Sequence, residues 1–394
     1  MAFDPFSSRG IPLDKQKFTW REMAGKPISK LDDDAFTRVR VILMNGVEQE
    51  AQRFQHFAAR NSTDLRVPLA EIRRIEQHQA TMVNWLLGPD HSPLEITLGY
   101  EQAAIEVTAA VAQQEPDDYL AQAYRFGMLE DFDHLYRFSA LLDRLEGKDP
   151  NNILQSYTDI LAGRPTTDEH RAPQDNVCRH YERASAAPVT RINALTIVSA
   201  EFQVNQYYLN AGPLFADPVA RQLYAEIASI EEQHVTQYES LLDPGESLLE
   251  QWLLHEATEV YNYYGCIQQE TNTRLKAIWE RFLDYELGHF HRVCELFKQY
   301  ERRDPAELLA GGFPEPIPYA SQRDFVRRTL QDEVGLRRAG TQFVDKAGES
   351  AASQSYRRDV NADGSPSEAI AAGYVWTPGT ELARRTGIAA GMLH

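Results

Sequence analysis

The chain is poor in cysteine. Only Cys178, Cys266 and Cys294 occur, far apart and odd in number. That excludes a disulfide scaffold, and it excludes any metal site built on paired Cys-x-x-Cys. Long hydrophobic runs are also missing, and no stretch approaches the roughly 20 apolar residues of a membrane-spanning helix. Met1 to Arg21 is polar and Pro-punctuated, without the apolar core of a secretory signal. Positive charge is scarce: 40 Lys and Arg stand against 58 Asp and Glu, a net charge of −18. So acidic a surface repels phosphate backbones, which argues against nucleic acid as a partner. These absences predict a cytoplasmic protein with no membrane association. A length of 394 residues suffices for two or three domains, each with its own core.

Period-two alternation is nearly absent as well, so the reading is all-α. Residues 1–30 form an irregular arm, broken by Pro5, Gly10, Pro12, Gly25 and Pro27. A helix is predicted to start near Asp32–Asp34, whose acids suit a helix N-terminus. Further helices are predicted at 67–87, 93–114 and 117–146. A loop-rich stretch at 147–187 contains Gly163, Pro165 and Pro173, and helices follow at 188–210, 215–242, 247–270 and 272–302.

What the chain does contain is an internal repeat. Ala70-Glu71-Ile72 recurs as Ala225-Glu226-Ile227, Ile75-Glu76 as Ile230-Glu231, and Gln113-Gln114-Glu115 as Gln268-Gln269-Glu270, each 155 residues on. A short indel upstream brings Glu48 opposite Glu201. The repeat unit is four helices, so each half is expected to close its own bundle. The predicted organisation is an N-terminal arm (1–30), a first bundle (31–150), a linker (151–187), a second bundle (188–305) and a C-terminal extension (306–394).

A dinuclear metal site in a four-helix bundle needs an inward Glu from each of two helices and Glu-x-x-His from each of the other two, because positions i and i+3 share a helix face. Carboxylates bridge and neutralise two cations, while each imidazole ligates one. The second half offers this order in full: Glu201, then Glu231 with His234, then Glu256, then Glu286 with His289. The pattern resembles the ferritin-like superfamily of di-iron and di-manganese carboxylate proteins, and within it the rubrerythrin group. Glu256-Ala-Thr-Glu259 is similar to the Glu-x-x-Glu of that group, whose second carboxylate is a further ligand, so the resemblance adds Glu259. It covers residues 35–150 and 188–305 and implies two tandem ferritin-like bundles.

The first half departs from the pattern. Glu48, Glu76, Glu101 and His134 keep their types, but Asp131 replaces a Glu, Gln79 stands where the second half has His234, and Ala104 stands where it has Glu259. Gln is a poor substitute for imidazole on a transition metal. His78, one residue away, lies about 100° around the helix and points elsewhere. The expectation is a complete site in the second bundle and a weaker one in the first. Of Tyr207, Tyr208, Tyr263, Tyr264 and Tyr285, only Tyr208 is placed facing a site by its spacing from Glu201; the others read as core. Cys266 and Cys294 read as small buried hydrophobes, and His255 and His291 lie off the ligand face. The Ala-, Gly- and Ser-rich tail from 345 to 394 reads as a flexible or partner-wrapping extension, with Gly387 to Leu393 as an apolar end that could dock on a partner.

The resemblance implies two iron ions per complete site, with manganese as the alternative. Their partners would be peroxide or dioxygen, and the activity that of a rubrerythrin- or ferroxidase-like oxidoreductase. The cysteines rule out the rubredoxin-type centre usual in rubrerythrins, so an external electron donor is expected. Ferritin-like bundles often pair, which makes a homo-oligomer a candidate assembly. Two further readings stand beside the enzyme: metal handling or assembly without turnover, and a structural protein whose bundle acids merely pair with Arg and Lys.

Overall fold

A computed structural model of the chain describes residues 3–310 and 312–377. The protein is all-α, with one small two-stranded sheet among the described residues. Eight long helices carry it: α1 (Ala35–Asn61), α2 (Arg66–Asn84), α3 (Pro93–Gln114), α4 (Asp118–Glu146), α5 (Pro188–Ala211), α6 (Pro218–Glu239), α7 (Leu248–Gln269) and α8 (Thr273–Glu301). No described helix is long and apolar enough to cross a membrane.

Local sequence sets the helix boundaries, and it does so twice over. Ser92 and Ser247, 155 residues apart, each begin a capping box with the Glu three residues on, Glu95 and Glu250. Asp117 and Asn272, equally spaced, cap α4 and α8 with their side-chain oxygens. The two halves therefore begin their equivalent helices by equivalent means.

Each long helix packs on its chain neighbour, α1 on α2, α3 on α4, α5 on α6 and α7 on α8. Beyond these hairpins, the expected separation into halves does not hold. The pair α1–α2 shares a core with α7–α8: Phe54, Leu69 and Ile72 pack in one buried cluster with Trp252, Leu253, Phe290 and Phe297. Burying each large side chain of that cluster stabilises the arrangement by about 2–3 kcal/mol. The pair α3–α4 in turn packs with α5–α6 through contacts of α3 with α5 and of α4 with α6.

Two reciprocal locks hold the exchange. Glu270, at the end of α7, accepts from Thr37 (2.9 Å) and Arg40 (2.8 Å) on α1. Glu115, its repeat equivalent at the end of α3, accepts from Thr190 (2.7 Å) and Asn193 (2.9 Å) on α5. At the centre α1 crosses α5 where Gly46 meets Ser199. A Cβ on Gly46 would lie 2.5 Å from the Ser199 carbonyl oxygen, so the crossing needs glycine.

The segments expected to be loose are built into the body. The arm lies along α8: Ile11 donates its backbone N–H to the Asp284 carbonyl (2.7 Å). The stretch 151–187 is not a plain linker; Arg164, Glu169 and Arg171 are buried against α4 and α6. The extension forms α9 (Arg323–Glu333), a hairpin of β1 (Leu336–Ala339) and β2 (Gln342–Asp345), α10 (Ala351–Val360) and α11 (Pro366–Ala371). Its serines, which suggested flexibility, are anchors instead. Ser350 caps α10 and bonds Asp175, while Ser367 donates its backbone N–H to Glu226 (2.7 Å). The expected docking end, Gly387 to Leu393, lies outside the described residues.

Candidate metal centres

Four hairpins, brought together this way, set two buried groups of acids and histidines. Neither is the group the second half was expected to close alone. Glu201, Glu231 and His234 meet Glu101, Asp131 and His134 from α3 and α4. Glu256, Glu259, Glu286 and His289 meet Glu48 and Glu76 from α1 and α2. The reason is topological: the ligand-bearing faces of α1–α2 point at α7–α8, and those of α3–α4 at α5–α6. The first group is called centre 1 below and the second centre 2.

Centre 1 resolves into two overlapping sets. Glu101, Asp131, His134 and Glu231 present ligand atoms within 4.8 Å of one another, and so do Asp131, Glu201, Glu231 and His234. Asp131 and Glu231 belong to both, so each set has one histidine, one carboxylate of its own and two shared carboxylates. All six side chains are fully buried.

The histidines are held alike. His134 Nδ1 faces Glu231 Oε1 at 3.0 Å, and its Nε2 lies 2.8 Å from Glu169 Oε2. His234 Nδ1 faces Glu231 Oε2 at 3.2 Å, and its Nε2 lies 2.8 Å from Glu130 Oε2. A carboxylate behind Nε2 fixes the ring and turns Nδ1 inward, where it donates to Glu231 without metal and would offer a lone pair once a cation displaced that proton. Glu130 is in turn bonded by Arg164 (3.0 Å) and by Arg171. Burial opposes its charge, but Arg171, His234 and Arg164 outweigh it and hold Glu130 well below the usual carboxylate range.

The inward oxygens have little to bind. Both oxygens of Glu201, one of Glu101 and Asp131 Oδ2 are buried without a hydrogen-bond partner. Tyr208 donates its hydroxyl to the other Glu101 oxygen. Burial, and then the neighbouring acids, push Glu101 and Glu201 well above the ordinary carboxylate range. Glu231 goes the other way. Burial raises it, but hydrogen bonds from His134 and His234 prevail and set it at about 2. A buried, unsatisfied carboxylate costs several kcal/mol. Two divalent cations would satisfy these oxygens, and four carboxylates would neutralise them. The residues fit a metal pair.

Centre 2 is more acidic and poorer in imidazole. Glu76, Glu256, Glu286 and His289 form one set within 4.8 Å, and Glu48, Glu259 and Glu286 the other, with Glu286 shared. His289 Nδ1 faces Glu286 Oε2 at 3.0 Å, and its Nε2 lies 2.7 Å from Gln16 Oε1 of the arm. Gln79, where His234 has its equivalent, does not point an oxygen at a shared carboxylate; its amide donates to Glu286 Oε1 at 2.5 Å. Uncharged groups steady the remaining acids: Tyr263 donates to Glu48, Trp252 to Glu256 (2.7 Å) and Gln55 to Glu76 (2.6 Å). Burial carries Glu76 up to about 8, and Glu286 adds to the rise against the opposing pull of His289.

Sequence reasoning named every inward acid and histidine of both centres but divided them wrongly. Tyr263, expected in the core, instead bonds Glu48, and it follows Glu256 by seven residues as Tyr208 follows Glu201. Glu130 and Glu169 gave a weaker signal, each beside a charged neighbour in an acidic run. Gln16 gave none. No family model, curated protein or solved structure matches this chain.

Proposed function

We propose that the chain is a metal-dependent redox protein of the ferritin-like kind, with centre 1 as its reactive site. Glu101, Asp131, His134, Glu201, Glu231 and His234 would hold two iron ions, or two manganese ions, for reaction with peroxide or dioxygen. The observation that carries this reading is the sharing of Asp131 and Glu231 between two otherwise complete ligand sets. Such sharing is what a bridged pair of cations needs and what a single ion does not.

When bound, a ferrous pair supplies two electrons, which with two protons reduce hydrogen peroxide to two water molecules. The protein contributes the rest. Glu169 and Glu130 orient the two imidazoles, and Tyr208 turns the free oxygen of Glu101 inward. Full burial keeps bulk water from the ligands and favours small reactants such as dioxygen or peroxide over bulky organic ones. Protons held by Glu101 and Glu201 leave as cations enter, so uptake is expected to weaken at low pH. The electron donor is a separate molecule, since the three cysteines are single and buried.

The same burial favours a second reading, in which metal is held without turnover. Anaerobic loading with ferrous iron, followed by peroxide addition with excess reductant, separates the two. Sustained peroxide consumption that disappears in Glu231→Ala supports the redox reading; a single stoichiometric oxidation supports metal handling. Equal metal content in the parent, Glu101→Ala and Glu201→Ala would refute both.

A further inference from the structure

We propose that centre 2 holds two unlike cations, with a hard, oxygen-preferring divalent ion at the position formed by Glu48, Glu259 and Glu286. This rests on the reading that these buried groups take metal, and it goes beyond that reading in assigning a different ion to one position.

The four ligand sets of the two centres differ in composition. Three contain a histidine: His134, His234 and His289, one each. The set Glu48, Glu259 and Glu286 contains none. Its fourth wall is Gln79, whose amide nitrogen bonds Glu286 (2.5 Å) and Glu48 (3.3 Å) and whose carbonyl oxygen is buried without a partner. Imidazole suits iron, copper and zinc, whereas carboxylate, carbonyl and water oxygens suit manganese, magnesium and calcium. An all-oxygen position therefore loses discrimination for iron relative to its neighbours.

A ligand at this position is indicated independently of the acid cluster. Both oxygens of Glu259 and one oxygen of Glu48 are buried without a hydrogen-bond partner. Glu259 and Glu48 are at most 1% exposed, so bulk water does not reach them. Among the described residues no Lys or Arg ion pair is found for Glu48, Glu259 or Glu286, although buried acids elsewhere, such as Glu130 and Glu270, are held by arginine. Tyr263 donates to Glu48 and Gln79 to both Glu48 and Glu286, which leaves the two Glu259 oxygens and one Glu48 oxygen as free acceptors. Free, buried carboxylate oxygens facing one another suit a cation.

The test is anaerobic loading of the full-length metal-free protein with equimolar Mn2+ and Fe2+, followed by anomalous diffraction at both absorption edges. The Mn/Fe ratio at the Glu48–Glu259–Glu286 position is expected to exceed that at the three histidine positions by roughly tenfold. Gln79→His supplies the missing imidazole and should bring the ratio down toward the others. Glu259→Gln should empty this position while leaving centre 1 filled. The same Mn/Fe ratio at all four positions of the parent protein would overturn the proposal while leaving the redox reading intact. Absence of metal from every position would instead overturn the reading it rests on. Manganese signal in solution provides a check that does not depend on the variants: the parent should show Mn2+ retained after desalting in the presence of competing Fe2+.

Discussion

His134 Nδ1 lies 3.0 Å from Glu231 Oε1, although the two residues are equivalent to neither each other nor to any pair within one half of the repeat. Each half supplies the partner the other needs. The consequence is testable by additivity. Glu101→Ala and Glu231→Ala should remove the same ions, about two per chain, and the double variant should remove no more. Glu231→Ala combined with Glu286→Ala should remove nearly all. Elemental analysis of loaded protein decides it; if Glu231→Ala and Glu286→Ala turned out to deplete one shared pair, the exchange of helices between halves would be wrong.

The arm makes its own prediction through Gln16, which bonds His289 at 2.7 Å. Gln16→Leu removes the acceptor that fixes the imidazole. Affinity at the His289 position should fall about 10–100-fold, with centre 1 unaffected. Chelator competition, followed by metal-resolved occupancy, measures this.

Much of this was legible from residue order. Period, caps and repeat spacing fixed the eight helices to within a few residues, because each of those signals acts over one or two turns. Which hairpin faces which was not legible. Glu-x-x-His places a ligand pair on one face of α6 or α8 but carries no information about the helix opposite, and equivalent helices compete on nearly equal terms for the same partners. The choice lies in long-range contacts such as Glu270 with Arg40, which look like ordinary surface charges in the sequence. The same holds for the arm and the extension, whose polar composition conceals a set of buried anchors.

Tyr208→Phe tests whether the acids of centre 1 are strained without metal. Glu101 would lose its only donor among the described residues and be left unsatisfied by them. Chemical denaturation of the metal-free variant should show a loss of about 1–3 kcal/mol, and metal loading should reduce the difference.

Glu106 gives a pH dependence separate from both centres. Burial carries it to about 7, against opposing hydrogen bonds from Thr158 and the Gln322 backbone. Because the folded value is raised, its contribution is full below the unfolded value of 4.5 and is lost as pH rises through about 7. Stability of metal-loaded parent relative to Glu106→Gln should therefore fall between pH 5 and 8, by at most on the order of 3 kcal/mol. Guanidinium titrations at several pH values would show it; a flat difference would refute the assignment.

At the crossing of α1 and α5, Gly46→Leu would force a side chain into the Ser199 carbonyl. A loss of several kcal/mol and of metal from both centres is expected, read by thermal unfolding and metal content.

The exchanged hairpins nest one centre inside the other along the chain. Centre 1 draws on residues 101 to 234, and centre 2 on residues 48 to 289. During synthesis the inner ligand set is therefore finished first, while Glu48 and Glu76 wait on the ribosome-borne chain for partners more than 170 residues downstream. Closing that longer loop is entropically harder and slower. If both centres take metal as proposed, an ion present during translation would meet the complete ligand set of centre 1 before that of centre 2.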